Sequence, residues 1–323
     1  MIREIQLQDI PGVNIGHAED LEAKTGVTVL AFPQGARAGV DISGGGPASR
    51  ETPVISPLTN DVPVNAIVLS GGSAYGLAAS DGVMACLEQR GMGYNTGFAL
   101  VPIVCQSCIY DLGYGSSTVR PDKEMGYRAC AHALDCNQHP EGNYGGGTGA
   151  TVGKIAGMSR ATKGGLGIYA VEVAGLQMAA VTVVNALGDV FRHPTGEKIG
   201  GITNANRSGW TSIQDILYSI TKPHDMFTRS NTTISAIVTN GDFSKAQLTK
   251  LAAMATTAYA RCINPVGTLA DGDAVYAASV GSHPADLNMA GTLAAQVLAE
   301  AIQRAVIKAR IPEKEFLGNI AGK

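Results

Sequence analysis

An asparagine followed by two threonines, Asn231-Thr232-Thr233, stands where a polar run ends and an apolar one begins. From there Ile234, Ala236 and Val238 alternate with Ser235, Ile237 and Thr239, the period of two expected of a β-strand. A threonine at the head of a strand has a particular use if the chain is cut before it. Thr232 would then carry a free α-amino group beside its own hydroxyl. A hydroxyl is a weak nucleophile until a base takes its proton, and a terminal amine of pKa about 7.7–8.0 suits that task at neutral pH. The cut needs no protease, because the threonine oxygen can attack the preceding carbonyl and form an ester that water opens. On spacing alone, the same residues are an ordinary loop-to-strand junction.

Other stretches carry partial chemical signals. Gly71-Gly72-Ser73-Ala74-Tyr75-Gly76 lies on a strand-to-helix turn, but a nucleophile elbow needs glycine where Tyr75 stands. A tight turn, or a backbone cradle for substrate formed by Gly72, Ser73 and Tyr75, is the expected role. The run Gly145 to Lys154 resembles a phosphate loop, yet Thr148 and Ile155 occupy positions where that motif requires glycine and a hydroxyl residue. Its glycines can serve as turns, with Lys154 reaching into a cleft. Gly44-Gly45-Gly46 lacks dinucleotide-binding spacing. Cys105 and Cys108 have metal or redox spacing, but Cys130 and Cys136 fit a zinc ribbon poorly, so buried thiols are the preferred reading. The histidines are scattered, and no metal or organic cofactor is expected.

These residues need elements to hold them. Val27 to Ala31 and Ala66 to Ser70 read as buried strands, the second passing through Gly71-Gly72 into a helix. Ile168 to Val173 and Ala180 to Val184 flank Gly175 as an antiparallel hairpin. Thr203 to Ser230 is loop-like, with one short helical pattern from Ile213 to Ile220. Ser244 and Gln247 form a capping box for a helix reaching about Cys262. A strand follows from Ala274 to Val280, then a long helix containing Leu293, Val297 and Ile302 that ends before Pro312. Mixed strands and helices with an antiparallel pair favour an α/β fold of two sheets covered by helices over one purely parallel sheet.

Of the 323 residues, 45% are hydrophobic, 16% charged and 5% aromatic, with 41 glycines, a profile for small side chains packed closely in layers. A net charge of −3 with no basic stripe argues against nucleic acid as a partner. No apolar run is long enough to span a bilayer, and the charged N-terminal stretch lacks a signal-peptide core, so no membrane partner and a cytoplasmic location are expected. In that setting the formal glycosylation sequon at Asn231 is a coincidence.

The stretch NTTISAIVTN resembles the processing site of the self-cleaving N-terminal-nucleophile hydrolases of the DmpA aminopeptidase and NylC nylon-oligomer hydrolase family. The resemblance extends through PGVNIGHAE, TGVTVL, GGSAYGL, CIYDLG, RPDKEMGYRA, GATVGK and DGDAVYAA, in order along nearly the whole chain. It implies a four-layer αββα sandwich, one domain over 1–323 cut into fragments 1–231 and 232–323 that stay associated, and a homo-oligomer (a tetramer of processed protomers). Carried over, Thr232 matches the nucleophile, Asn231 the residue before the cut, and Asp271 and Asp273 the carboxylates near the new amino terminus. Lys154 matches a lysine at the processing site, Asn185 an amide donating to the oxyanion, and Tyr110 a tyrosine near the cleft. Read singly, these are a solvated turn, a surface lysine, a turn asparagine and a core tyrosine. DmpA-type aminopeptidases place serine at the nucleophile and Ser-x-Glu where this chain has Asp271-Gly272-Asp273, so the likeness leans toward the nylon-hydrolase branch.

The implied activity is hydrolysis of short peptides or of β- or ω-amino-acid amides, without a cofactor. Two alternatives stay open: an acyltransferase of the ornithine acetyltransferase type, and an uncut, non-catalytic protein binding small molecules or metal.

Overall fold

Alternating apolar residues dominate the strands of this protein, and both faces of its central strands are buried. The computed structural model describes residues 2–220 and 231–322; the polar run 221–230 that leads into Asn231 lies outside them. Ten strands form one hydrogen-bonded network: β1 (Arg3–Ile5), β2 (Asn14–Asp20), β3 (Thr25–Ile42), β4 (Ala48–Arg50), β5 (Val64–Ser70), β6 (Val104–Cys108), β7 (Gly165–Val173), β8 (Leu176–Asn185), β9 (Thr232–Gly241) and β10 (Ala274–His283). The long β3 belongs to two sheets. Its first part pairs with β2 and β5, and its second part, from Arg37 to Ile42, pairs with β10. The first sheet therefore runs β1-β7-β8-β9-β10-β3 and the second β2-β3-β5-β6-β4. Only β9–β10 and β5–β6 are parallel among these pairs.

Three apolar layers follow from the period-two alternation. Ile234, Ala236 and Val238 of β9 face Leu30, Phe32, Ile67 and Leu69 in a core between the sheets. On the outer face of the first sheet, Met178, Ala180, Ile237 and Val275 pack against α3 (Lys245–Cys262) and α4 (Leu287–Lys308). On the outer face of the second, Val27, Val29, Ala66 and Val68 pack against α1 (Ala79–Gln89) and α2 (Lys123–Asp135). The result is the expected αββα sandwich with mixed sheets.

Most of the expected elements are present, several of them longer than expected. The hairpin spans β7 and β8, with Val173 opposite Leu176. The capping box is formed: Ser244 accepts from the Gln247 N–H, and the Gln247 side chain returns to the Ser244 N–H at 2.9 Å. The strand expected to end at Ala31 continues to Ile42, because β3 shifts register between Ala31 and Ala36 as it leaves one sheet for the other. Helix α2 has no counterpart in the sequence reading. Its buried stripe is mainly Gly126, Ala129, Cys130 and Ala133, small residues that make a weak hydrophobic pattern but allow close approach to α1.

That approach is tight on both sides. A Cβ at Gly126 would lie 1.9 Å from the carbonyl oxygen of Ala79, and one at Gly82 would lie 1.7 Å from that of Lys123. Between α3 and α4, a Cβ at Gly291 would meet only the flexible Met254 side chain, at 2.3 Å. Gly126→Ala therefore costs about 1–3 kcal/mol of stability by overpacking, and Gly291→Ala costs less because Met254 can turn away. Urea denaturation of the two variants checks the order.

Candidate active site

The first sheet brings four strand ends together. β8 ends at Asn185, β9 begins at Thr232 directly opposite it, β10 follows Asp271-Gly272-Asp273, and β3 ends just before Gly44-Gly45-Gly46. Asn231 extends β9 by one further parallel bridge, to Asp271. Its N–H donates to the Ala270 carbonyl at 3.0 Å, and its own carbonyl accepts from the Gly272 N–H at 2.8 Å. Thr232 is 4% exposed, and its hydroxyl donates to that same Asn231 oxygen at 2.5 Å.

The two aspartates are buried and differently employed. One carboxylate oxygen of Asp273 accepts from the Thr233 N–H at 2.6 Å and the other from the Gly267 N–H at 3.1 Å. Asp271 accepts from the N–H and hydroxyl of Thr268, at 2.9 and 2.7 Å. Burial raises both carboxyls above their usual range. Asp273 goes to about 7, because the neighbouring charge of Asp271 adds to the desolvation. The backbone donors oppose that rise without cancelling it.

Lys154 is buried, and its ammonium donates to the carbonyl of Thr151 at 3.0 Å and to the backbone and side-chain oxygens of Asn185, each at 2.8 Å. Desolvation lowers it to about 7, against the pull of Asp271, Asp111 and Asp273. The Asn185 side-chain oxygen also accepts from the Thr151 N–H at 3.0 Å, while its amide nitrogen donates to the Tyr110 carbonyl at 3.0 Å. Tyr110 thus meets the cluster through its backbone. Behind the sheet, the Tyr259 hydroxyl of α3 reaches the carbonyls of Thr233 and Ala274, at 3.0 and 3.1 Å.

Thr232, Asn231, Asn185, Lys154, Asp271, Asp273 and the Tyr110 carbonyl are therefore gathered at one end of the sheet. The turn at Gly72 and Ser73 is tied in at one remove. The Gly72 N–H donates to Asp111 at 2.7 Å, and the Ser73 N–H donates to the Ile109 carbonyl at 2.9 Å. Tyr75 is exposed, with the Arg120 guanidinium 3.8 Å above its ring. Among the described residues, no hydrogen bond links Ser73 or Tyr75 to Thr232.

Sequence reasoning passed over Thr268, which bonds Asp271 three residues on, and Thr151, and gave the Gly44–Gly46 turn no role. Three consecutive glycines were the available signal for a close backbone approach. Cys105 and Cys108 do not form a pair. The Cys105 thiol donates to the Glu51 carbonyl, Cys108 lies 3.1 Å from the Ser70 hydroxyl, and burial pushes both up to about 12. No helix among the described residues is long and apolar enough to cross a membrane.

The model of peptidase family S58 matches residues 6–314. An uncharacterized aminopeptidase of Mycobacterium leprae is 33% identical over 303 residues, covering 85% of this chain and 78% of that protein. The 6-aminohexanoate-oligomer endohydrolase of Kocuria sp. is 32% identical over 323 residues, covering 95% of this chain and 86% of its own. The solved L-aminopeptidase D-Ala-esterase/amidase of Ochrobactrum anthropi, described as a variant of the Ntn hydrolase fold, superposes with a TM-score of 0.67. It is 18% identical and covers 98% of this chain and 94% of that one.

The raised carboxyl has a consequence for stability. Between pH 3.8 and about 7 the folded protein keeps a proton on Asp273 that the unfolded chain has released, so this contribution is lost as pH rises through that window. The stability of wild type relative to Asp273→Asn accordingly falls from about pH 4 to about pH 7 and is level above it. Lys154 gives the opposite trend: stability relative to Lys154→Met rises from about pH 7 toward 10.5, where the unfolded chain alone stays protonated. Denaturation midpoints across pH measure both.

Proposed function

The chain belongs to peptidase family S58 and hydrolyses amide or peptide bonds, and on that premise we propose that it processes itself and uses Thr232 as its nucleophile. The observation that carries this reading is the Thr232 hydroxyl, buried at the head of β9 and 2.5 Å from the carbonyl oxygen of the residue before it. In the self-cleavage step the Thr232 oxygen attacks the Asn231 carbonyl carbon, the peptide bond shifts to an ester, and water releases Asn231 as a carboxylate. Fragments 1–231 and 232–323 stay associated through the β8–β9 and β3–β10 ladders.

The new amine at Thr232 then serves as base for its own hydroxyl. Asp273, already on the Thr233 N–H, and Asp271 orient that amine and favour its ammonium form after proton uptake. A substrate amide acylates the threonine oxygen. Asn185, with one amide hydrogen committed to Tyr110 and a second available by valence, stabilises the tetrahedral oxyanion while Lys154 fixes its side-chain oxygen. The leaving amine takes the proton, and water frees the acyl group. The chemistry runs on these side chains with no cofactor.

The substrate class is short peptides cut from the amino end or β- or ω-amino-acid amides, in keeping with the aminopeptidase and 6-aminohexanoate-oligomer endohydrolase among the relatives. Gly72, Ser73 and Tyr75 are the residues proposed to contact such a substrate. The working form is a cytoplasmic homo-oligomer, a tetramer of processed protomers.

Denatured intact-mass spectrometry tests the nucleophile. Wild type is expected as two fragments, the smaller starting at Thr232; Thr232→Ser, which keeps a hydroxyl, is also cut, and Thr232→Ala remains whole. Cleavage of the alanine variant at this bond would remove Thr232 from the mechanism. An uncut wild type would do the same.

A further inference from the structure

Building on the proposed role of Thr232, we infer that the backbone N–H of Gly272 is the oxyanion donor for self-cleavage. The Asn231 carbonyl oxygen accepts from two described donors, the Thr232 hydroxyl at 2.5 Å and the Gly272 N–H at 2.8 Å. Attack consumes the first. As the threonine oxygen bonds to the Asn231 carbon, its proton departs, eventually to the leaving Thr232 nitrogen, and its hydrogen bond to the carbonyl oxygen is lost. Negative charge grows on that oxygen during the same event. The Gly272 N–H is already aimed at it and needs no reorganisation, which is the condition for effective transition-state stabilisation. The carbon–nitrogen bond then breaks to leave an ester, and one water returns the hydroxyl to Thr232 and leaves a carboxyl on Asn231.

The donor is itself held from behind. Gly46 donates its N–H to the Asp271 carbonyl at 2.8 Å, so the peptide unit linking Asp271 to Gly272 is bonded at both ends and polarised toward Asn231. The N–H groups of Ser43 and Gly44 hold the Asp273 carbonyl, at 3.0 and 3.2 Å. Such packing needs bare backbone. A Cβ at position 272 would stand 2.8 Å from the Thr232 hydroxyl oxygen and 2.9 Å from the Gly46 carbonyl oxygen; one at position 44 would stand 2.3 Å from the Asp273 nitrogen. The glycine triplet and the central glycine of Asp271-Gly272-Asp273 are two halves of one clamp. Because Gly272 approaches from the β10 side and Asn185 from β8, Gly272 serves the chain's own carbonyl and Asn185 the substrate's.

Glycolate in place of Gly272, introduced into the full chain by nonsense suppression in cell-free synthesis, replaces the N–H by an oxygen without adding a Cβ. The rate of cleavage after Asn231, followed by intact mass, is expected to fall about 10²–10³-fold with the pH midpoint of that rate unchanged. A wild-type rate, even with a lowered melting temperature, would make the bond a plain ladder rung and overturn the assignment. A moved pH midpoint would overturn it too, by placing the effect on displaced Asp271 and Asp273. Should that chain fail to fold, glycolate in place of Gly46 keeps the donor and frees only its anchor; cleavage slowed about tenfold supports the clamp, and an unchanged rate sinks it. Thr232→Ala, run alongside, separates the two ideas: its cleavage would refute the nucleophile, whereas its persistence beside a fast glycolate chain refutes Gly272 alone.

Discussion

The parallel pairing of β9 with β10 is the constraint on which the site depends. It sets Asn231 against Asp271 and, two bonds further along, lets the Asp273 carboxylate take the Thr233 N–H. A slip of one residue would turn Ile234, Ala236 and Val238 out of the inter-sheet core and toward α3. Both faces of β9 are covered, so such a slip exchanges two buried sets at once and is strongly disfavoured. The register that places Thr232 opposite Asn185 is therefore held by hydrophobic burial along the whole strand, with few contacts required at the site itself.

Holding two carboxylates and a lysine in a buried cluster is costly, and main-chain polar groups offset much of that cost. Lys154 has three carbonyl-type acceptors, Asp273 two backbone donors, and Asp271 the Thr268 pair. Even so, desolvation is the largest cause that lowers Lys154 and raises Asp273, each to about 7. A second buried set repeats the pattern. Lys163 donates to the carbonyls of Gly147, Ala150 and Gly164, and Asp111 holds the Gly72 N–H and the Thr25 hydroxyl. The Lys163 bonds hold the glycine run, and the Asp111 bonds tie the Gly72 turn to the segment whose Tyr110 carbonyl orients Asn185.

The likeness to a solved aminopeptidase at 18% identity over 98% of the chain shows how little side-chain sequence the layered architecture demands. Alternation of apolar residues on two sheets, with small residues where helices approach, is enough to specify it. Glycine backbone is less replaceable. Gly82 and Gly126 let α1 and α2 meet, and Gly44 and Gly272 let two turns pack main chain to main chain.

Local pattern alone determined much. Period-two alternation marked β9, β10 and the β7–β8 hairpin, Ser244 and Gln247 marked the start of α3, and the motif series pointed to the family and to residues that the fold gathers at one end of the first sheet. These features are readable because each is decided by neighbours a few residues away. The full length of β3, the helix α2 with its stripe of small residues, and the use of the Tyr110 carbonyl where a side chain was expected were decided only in three dimensions. So was the pairing of Gly44–Gly46 with Asp271–Asp273. Backbone hydrogen bonds between distant segments leave no side-chain signature beyond the absence of one, and glycine is the same letter whether it makes a turn or a clamp.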